Sequence, residues 1–179
     1  MAMNAGLNFH GKLKVETFNG EIRTSVWEED NTICNIGLSD VAASIAYLGV
    51  QDIAADIGTS PYVITPIYGA IGIGDVYTVP PAVSDTRLKE ELSRTTASAS
   101  GFISAVGSNP GQAIWQFQFP INNSTNDYVL TEAGVFVLAG SAANSGDMLD
   151  HAAFNPTVTW PVGQSLVLSL QLSLYAVAW

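Results

Sequence analysis

The chain has little charge with which to meet a charged partner. Only 12% of its 179 residues are Asp, Glu, Lys or Arg, against roughly 25% in an ordinary soluble domain. Its six bases are Lys12, Lys14, Arg23, Arg87, Lys89 and Arg94, and none follows between Thr95 and Trp179. Sixteen acids bring the net charge to −10. Binding nucleic acid requires a cationic footprint that neutralises phosphates, so no nucleic-acid partner is expected, and anionic membranes are disfavoured for the same reason. Cysteine is nearly absent: Cys34 stands alone, which excludes an internal disulfide and a cysteine metal cage. Within Thr-Ile-Cys-Asn-Ile it reads as a buried, inert thiol. No window of about 18 apolar residues exists to make a transmembrane helix. Residues 1–20 lack the sustained apolar stretch of a signal peptide. One alternating segment cannot close a membrane barrel. The expectation is a cytosolic product, soluble or assembled, without membrane insertion.

What the chain does have is apolar residues, 47% of the total, enough for a substantial core. Its length fits one domain. Low charge beside many Ser, Thr, Asn, Gly and Ala residues predicts a surface partly hidden in an assembly. The stretch Ser165–Trp179, SLVLSLQLSLYAVAW, carries the strongest pattern. Every even position from Leu166 to Ala178 is apolar, and period two is the geometry of a strand. At about 3.3 Å per residue it would span roughly 45–50 Å, well beyond the usual length of about 17–20 Å. Its odd positions begin polar at Ser165, Ser169, Gln171 and Ser173 and turn apolar at Tyr175, Val177 and Trp179, which are the candidate interface residues with a neighbouring chain.

Other segments follow the same logic. Residues 12–18 and 21–27 alternate around Asn19-Gly20, a hairpin turn sequence. Residues 39–49 predict a helix with Ser39 as its cap and Val41, Ile45 and Leu48 on one face. Residues 86–93 predict a second, short helix capped by Ser84 or Asp85, with Leu88 and Leu92 four apart. Tyr68–Gly74 reads as a buried strand whose glycines admit close approach of a neighbour. Strands are expected over 95–106, 112–120, 128–138 and 148–154, the first two joined by Ser108-Asn109-Pro110-Gly111. In the second, Trp115, Phe117 and Phe119 face one way while Ile114, Gln116 and Gln118 face the other. The fold class predicted is mainly β, an antiparallel β-sandwich with two short α-helices. It forms a single β-rich domain over 1–179, with hairpin and helix in 1–74 and the sandwich in 75–179.

Candidate chemistry is sparse. Gly72-x-Gly74 is followed by Tyr77 where a dinucleotide fingerprint needs its third glycine, and by Pro80-Pro81 where it needs a helix. These are packing or turn glycines. His10 and His151 are the only histidines. His151 lies near Asp147 and Asp150, but no Gly-x-Ser-x-Gly elbow marks a nucleophile, and no distant ligand completes a metal site. His151 reads as a loop histidine beside solvating acids. Glu132, inside the apolar run LTEAGVFVL, could pair with Asp127 as glycosidase carboxylates would. The structural reading is favoured: half-exposed, or accepting backbone amides at a strand crossing. Trp27, Trp115, Trp160 and Trp179 could floor a sugar site, although such rings more often fill a core or an interface.

Five motifs resemble those of small tail-fibre- or baseplate-associated structural proteins of tailed bacteriophages. They are the run from Asn31 to Leu38, the Gly72–Gly74 strand, and Asp-Thr-x-Leu-x-x-Glu-Leu-x-Arg from Asp85 to Arg94. Glu132 to Phe136 and the leucine-rich Thr159–Leu174 complete the set. The segment 39–66 departs from that pattern. The resemblance implies a virion location after synthesis in host cytoplasm, no enzymatic activity, no cofactor and no metal. It also implies partners among other phage virion proteins and a homo-oligomer, with a trimer suggested by the family context. Alternatives from the sequence are a host-receptor or glycan-binding module, a capsid decoration or head-fibre protein, and, most weakly, a hydrolase.

Overall fold

The computed structural model describes residues 5–35, 39, 66–103, 110–137 and 139–178. Nine strands run in chain order: β1 (Ala5–Asn19), β2 (Ile22–Asp30), β3 (Thr32–Ile33), β4 (Pro66–Gly72), β5 (Glu91–Ile103), β6 (Gly111–Phe119), β7 (Tyr128–Val137), β8 (Asp147–Trp160) and β9 (Ser165–Ala178). The mainly antiparallel β class is therefore found, but the two separate sheets of a sandwich are not. Hydrogen bonding runs through one nine-stranded sheet in the order β2-β1-β9-β6-β5-β4-β7-β8-β3. Asn31 N–H donates to Gly11 O at 3.2 Å, so the β3 edge meets β1 and the sheet nearly shuts on itself. Trp27 of β2 packs edge-on against Phe154 of β8, with ring centres 4.5 Å apart. Curling lets a long sheet bury one face against itself, where a sandwich would use a second sheet.

The inside of the curl is the main core. Leu13 and Val15 from β1, Phe117 and Phe119 from β6 and Leu130, Ala133 and Val135 from β7 meet there. Phe154 and Trp160 from β8 and Leu166, Leu168 and Leu170 from β9 complete it. Most of these side chains come from alternate positions of their strands, as the period-two pattern requires, with a three-residue step from Leu130 to Ala133 at a register shift in β7. A second, smaller cluster of Cys34, Ala70, Leu88, Phe136 and Met148 lies on the other side of β4, β7 and β8. Loop 73–90 covers it. No helix among the described residues is long and apolar enough to cross a membrane.

The terminal strand has the predicted length and inner face, with Leu166, Leu168, Leu170 and Leu172 buried. Its neighbours on both sides are strands of the same chain. β9 pairs with β1 from Phe18↔Ser165 to Ala5↔Ala178 and with β6 from Phe119↔Leu166 to Gly111↔Leu174. The chain's own strands thus account for most of its length. The hairpin is also found, shifted by one residue: Asn19 pairs with Ile22, and Gly20 supplies the positive φ of +60° in a Gly20-Glu21 turn.

Two helices were expected. The first, over 39–49, lies outside the described residues except for Ser39. The second is corrected: residues 84–90 form bends and turns, and 91–93 begin β5. Leu88 and Leu92 mimic helical spacing but go to different clusters, Leu88 buried in the smaller one and Leu92 partly buried against the main core. The strand expected over 148–154 is twice as long, Asp147–Trp160. A register shift against β7 after Leu130 lets it continue past Ala153. Of the Ser108–Gly111 turn, Ser108 and Asn109 lie outside the described residues.

Candidate functional site

The chemistry-bearing residues converge where loop 73–90 lies over β7 and β8. Glu132 interrupts an apolar strand because its carboxylate holds that loop down. Glu132 Oε1 accepts Glu90 N–H at 2.8 Å and Gly74 N–H at 3.2 Å, and Oε2 accepts Lys89 N–H at 3.0 Å. The alternative of accepting backbone amides is the one found; half-exposure is not, since Glu132 is 0% exposed. A Cβ added at Gly74 would lie 2.6 Å from Glu132 Oε1 and 2.4 Å from Lys89 Cβ. The glycine is there for that close approach, and no phosphate-binding turn is formed.

His151 corrects its sequence reading. It sits on β8, 0% exposed, with both ring nitrogens occupied. Nδ1 is 2.7 Å from Asp85 Oδ2, and Nε2 is 3.0 Å from Glu132 Oε2. Both contacts are charge-assisted when the ring is protonated. Asp85 also accepts Ala82 N–H at 2.9 Å and lies 3.5 Å from Lys89 Nζ. Burial pushes the Asp85 carboxyl up, but Ala82 N–H, His151 and Lys89 outweigh it and hold the group below its ordinary value. Glu132 follows the same balance, with His151 and the amides of Glu90 and Lys89 opposing burial.

The sequence neighbours proposed for His151 go elsewhere. Asp147 opens β8 opposite Val137. Asp150 pairs with Val135, which places it on the main-core side, and its Oδ2 accepts Asn31 Nδ2–H. Asp127 does not meet Glu132 either; it accepts Val162 N–H at 2.8 Å in a different loop. Among the described residues no group of three or more His, Cys, Asp or Glu side chains is arranged to hold a metal ion. Cys34 is buried as expected, and burial with the nearby acids Asp150 and Asp85 pushes its thiol up to about 12. His10 reaches Asp30 at 3.1 Å on the exposed surface.

A second brace, which sequence reasoning missed, uses Arg94 and Glu91. The guanidinium forms a bidentate pair, Nε to Oε1 at 2.6 Å and Nη2 to Oε2 at 2.7 Å. Its Nη1 donates to Gly140 O and Ser145 O, and Asn144 N–H donates to Glu91 Oε2. The cation lies 4.7 Å from the centre of the Phe136 ring. The signal available was the i,i+3 Glu-Arg pair, obscured by the helical reading.

Comparison with protein-family models, with curated proteins and with solved structures finds no match. The site therefore rests on its own geometry, in which four of the five motifs noted in the sequence participate. Gly72–Gly74, Asp85–Arg94, Glu132–Phe136 and the start of Asn31–Leu38 all lie in or beside this braced region. The fifth, Thr159–Leu174, enters the main core and β9.

The tryptophans divide. Trp160 is buried, tilted against Tyr128 at 6.0 Å, and its Nε1–H donates to Gln164 O at 2.8 Å. Trp115 packs partly buried against the core. Trp27 lines a groove of about 320 Å³ between β2 and β8, with Thr24, Ser25, Thr157 and Thr159 also on its walls. Of the candidate interface residues, Tyr175 and Val177 pair through their backbones with Asn8 and Gly6, and Trp179 lies outside the described residues.

Proposed function

We propose that the chain is a structural protein of a bacteriophage virion, associated with the tail fibre or baseplate, and that it works by assembly rather than catalysis. The observation that carries this reading is the use made of its polar motif residues. Asp85, Glu91, Arg94, Glu132 and His151 brace loops onto a nearly closed sheet, and both nitrogens of the fully buried His151 are taken by carboxylates. A surface poor in charge, with no base after Arg94, supports contact with other protein subunits, as does the motif resemblance.

A homo-oligomer contacting other virion proteins is part of the same proposal, with Tyr175, Val177 and Trp179 at the contact. Support comes from the end of β9, where the odd positions Tyr175, Val177 and Trp179 are apolar. Because β9 lies between β1 and β6, deleting it whole would destroy the subunit; a fair test changes only its end. Light scattering should give an oligomeric mass for the unaltered chain and a monomeric mass for Tyr175→Ser/Val177→Ser, with strand content unchanged by circular dichroism. Mass spectrometry of purified phage particles should detect the chain. A monomer missing from those particles defeats the proposal.

The second reading, a receptor- or glycan-binding module, is favoured by the groove that holds Trp27 beside five hydroxyl-bearing residues, Thr17 among them. Glycan-array binding lost in Trp27→Ala would move the assignment there.

A further inference from the structure

Where the sheet shuts on itself, two acceptor atoms are buried without donors among the described residues. They are Oδ1 of Asn31 and Oδ1 of Asp150, and their residues already share one hydrogen bond, from Asn31 Nδ2 to Asp150 Oδ2. An ionised carboxylate can only accept, and a carboxamide oxygen can only accept. Two orphan acceptors on one bonded pair are therefore missing a single proton. Leaving both unsatisfied in a buried place is the arrangement that native interiors avoid.

The geometry points to Asp150 being held as the neutral carboxylic acid, its Oδ1 hydroxyl donating to Asn31 Oδ1 to close a two-bond acid–amide pair. Burial drives the Asp150 carboxyl well above its ordinary value, opposed only by the Asn31 bond. No cation faces it. Its neighbours across the ladders are Val135 of β7 and Ile33 of β3, and a Cβ at Gly11 of β1 would touch both Asn31 and Ile33. Cys34 is the one nearby titratable group on the adjoining segment, and its raised value keeps the thiol neutral. His151 is next in sequence but lies on the opposite side of β8, bonded to Asp85 and Glu132.

The position gives the pair a role. Asn31 joins β2 to β3 and bonds to β1 through its N–H, while Asp150 stands in the short β3–β8 ladder. The pair is thus a proton-held latch across the closing seam, joining β1, β3 and β8. Ionisation removes the donor and places a charge in the core, so the latch weakens as the pH rises.

The sign follows from linkage. A raised folded-state value means that the folded chain binds more protons than the unfolded one, so stability falls as pH rises from the unfolded carboxyl range, about 4. Asp150→Asn keeps a donor for Asn31 and removes the titration. Urea unfolding of both proteins from pH 4 upward should show the Asn variant gaining on the unaltered chain. The relative gain is about tenfold in folded-to-unfolded ratio per pH unit, ending at the folded-state pKa. A difference independent of pH overturns the assignment, since it would mean an ionised Asp150 whose missing donor is a buried water. If the variant does not fold, infrared spectroscopy of the unaltered protein decides. A neutral-carboxyl C=O band at pH 7, shifted in D₂O, supports the latch, and its absence overturns it.

Discussion

Glu132 is the residue on which most local order depends, because one carboxylate satisfies three backbone N–H groups and one imidazole. In Glu132→Gln the amide oxygen can still accept Glu90 and Gly74 N–H, but its NH2 group faces Lys89 N–H, donor to donor. Leaving a buried donor unsatisfied costs about 1–3 kcal/mol, so Glu132→Gln should lose stability of that order at pH 7 in urea titrations. Its pH dependence has a definite sign. Glu132 and Asp85 titrate lower when folded than when free, so the folded state binds fewer protons and is favoured above the unfolded carboxyl range, about pH 4. That contribution disappears as the pH falls through the depressed folded values. The acid limb of Glu132→Gln should therefore be shallower than that of the unaltered chain. An unchanged acid limb would show that the cluster does not govern acid stability.

At the scale of elements, some of the architecture was legible because side-chain alternation is local. Phe117 and Phe119 inside with Gln116 and Gln118 outside, and the even leucines of β9, could be read directly and are found. The segment from Asp85 to Arg94 could not be read so. Its apparent cap and its leucines four apart satisfy a helical template, yet Asp85 bonds to His151, 66 residues away, and Glu91 with Arg94 seizes the 140–146 loop. A sequence pattern cannot display partners that only the closed sheet brings near. The same limit hid His151, whose acids came from β7 and loop 73–90 rather than from Asp147 and Asp150. Arg94→Lys provides a check on this element, since an ammonium cannot reproduce the bidentate fork. It should cost about 2 kcal/mol in urea titration and speed proteolysis within 140–146, while cleavage elsewhere stays slow.

For the whole molecule, the notable fact is that β1 lies against β9, with Ala5 opposite Ala178. A ribosome emits the first hairpin long before its permanent neighbour, so one edge of β1 remains open through most of synthesis. Sheets assembled from distant segments form slowly, in about milliseconds to seconds, and an unpaired edge invites aggregation meanwhile. Joining Ala178 to Ala5 by a short linker and opening the chain at Gly20-Glu21 would turn that remote pairing into a neighbourly one. Stopped-flow refolding of such a permutant should be faster than that of the original chain, with a similar final spectrum. The late arrival of β9 also makes it the keystone: before it lands, the arch is two half-built piers, and afterwards every remaining strand has something to lean on.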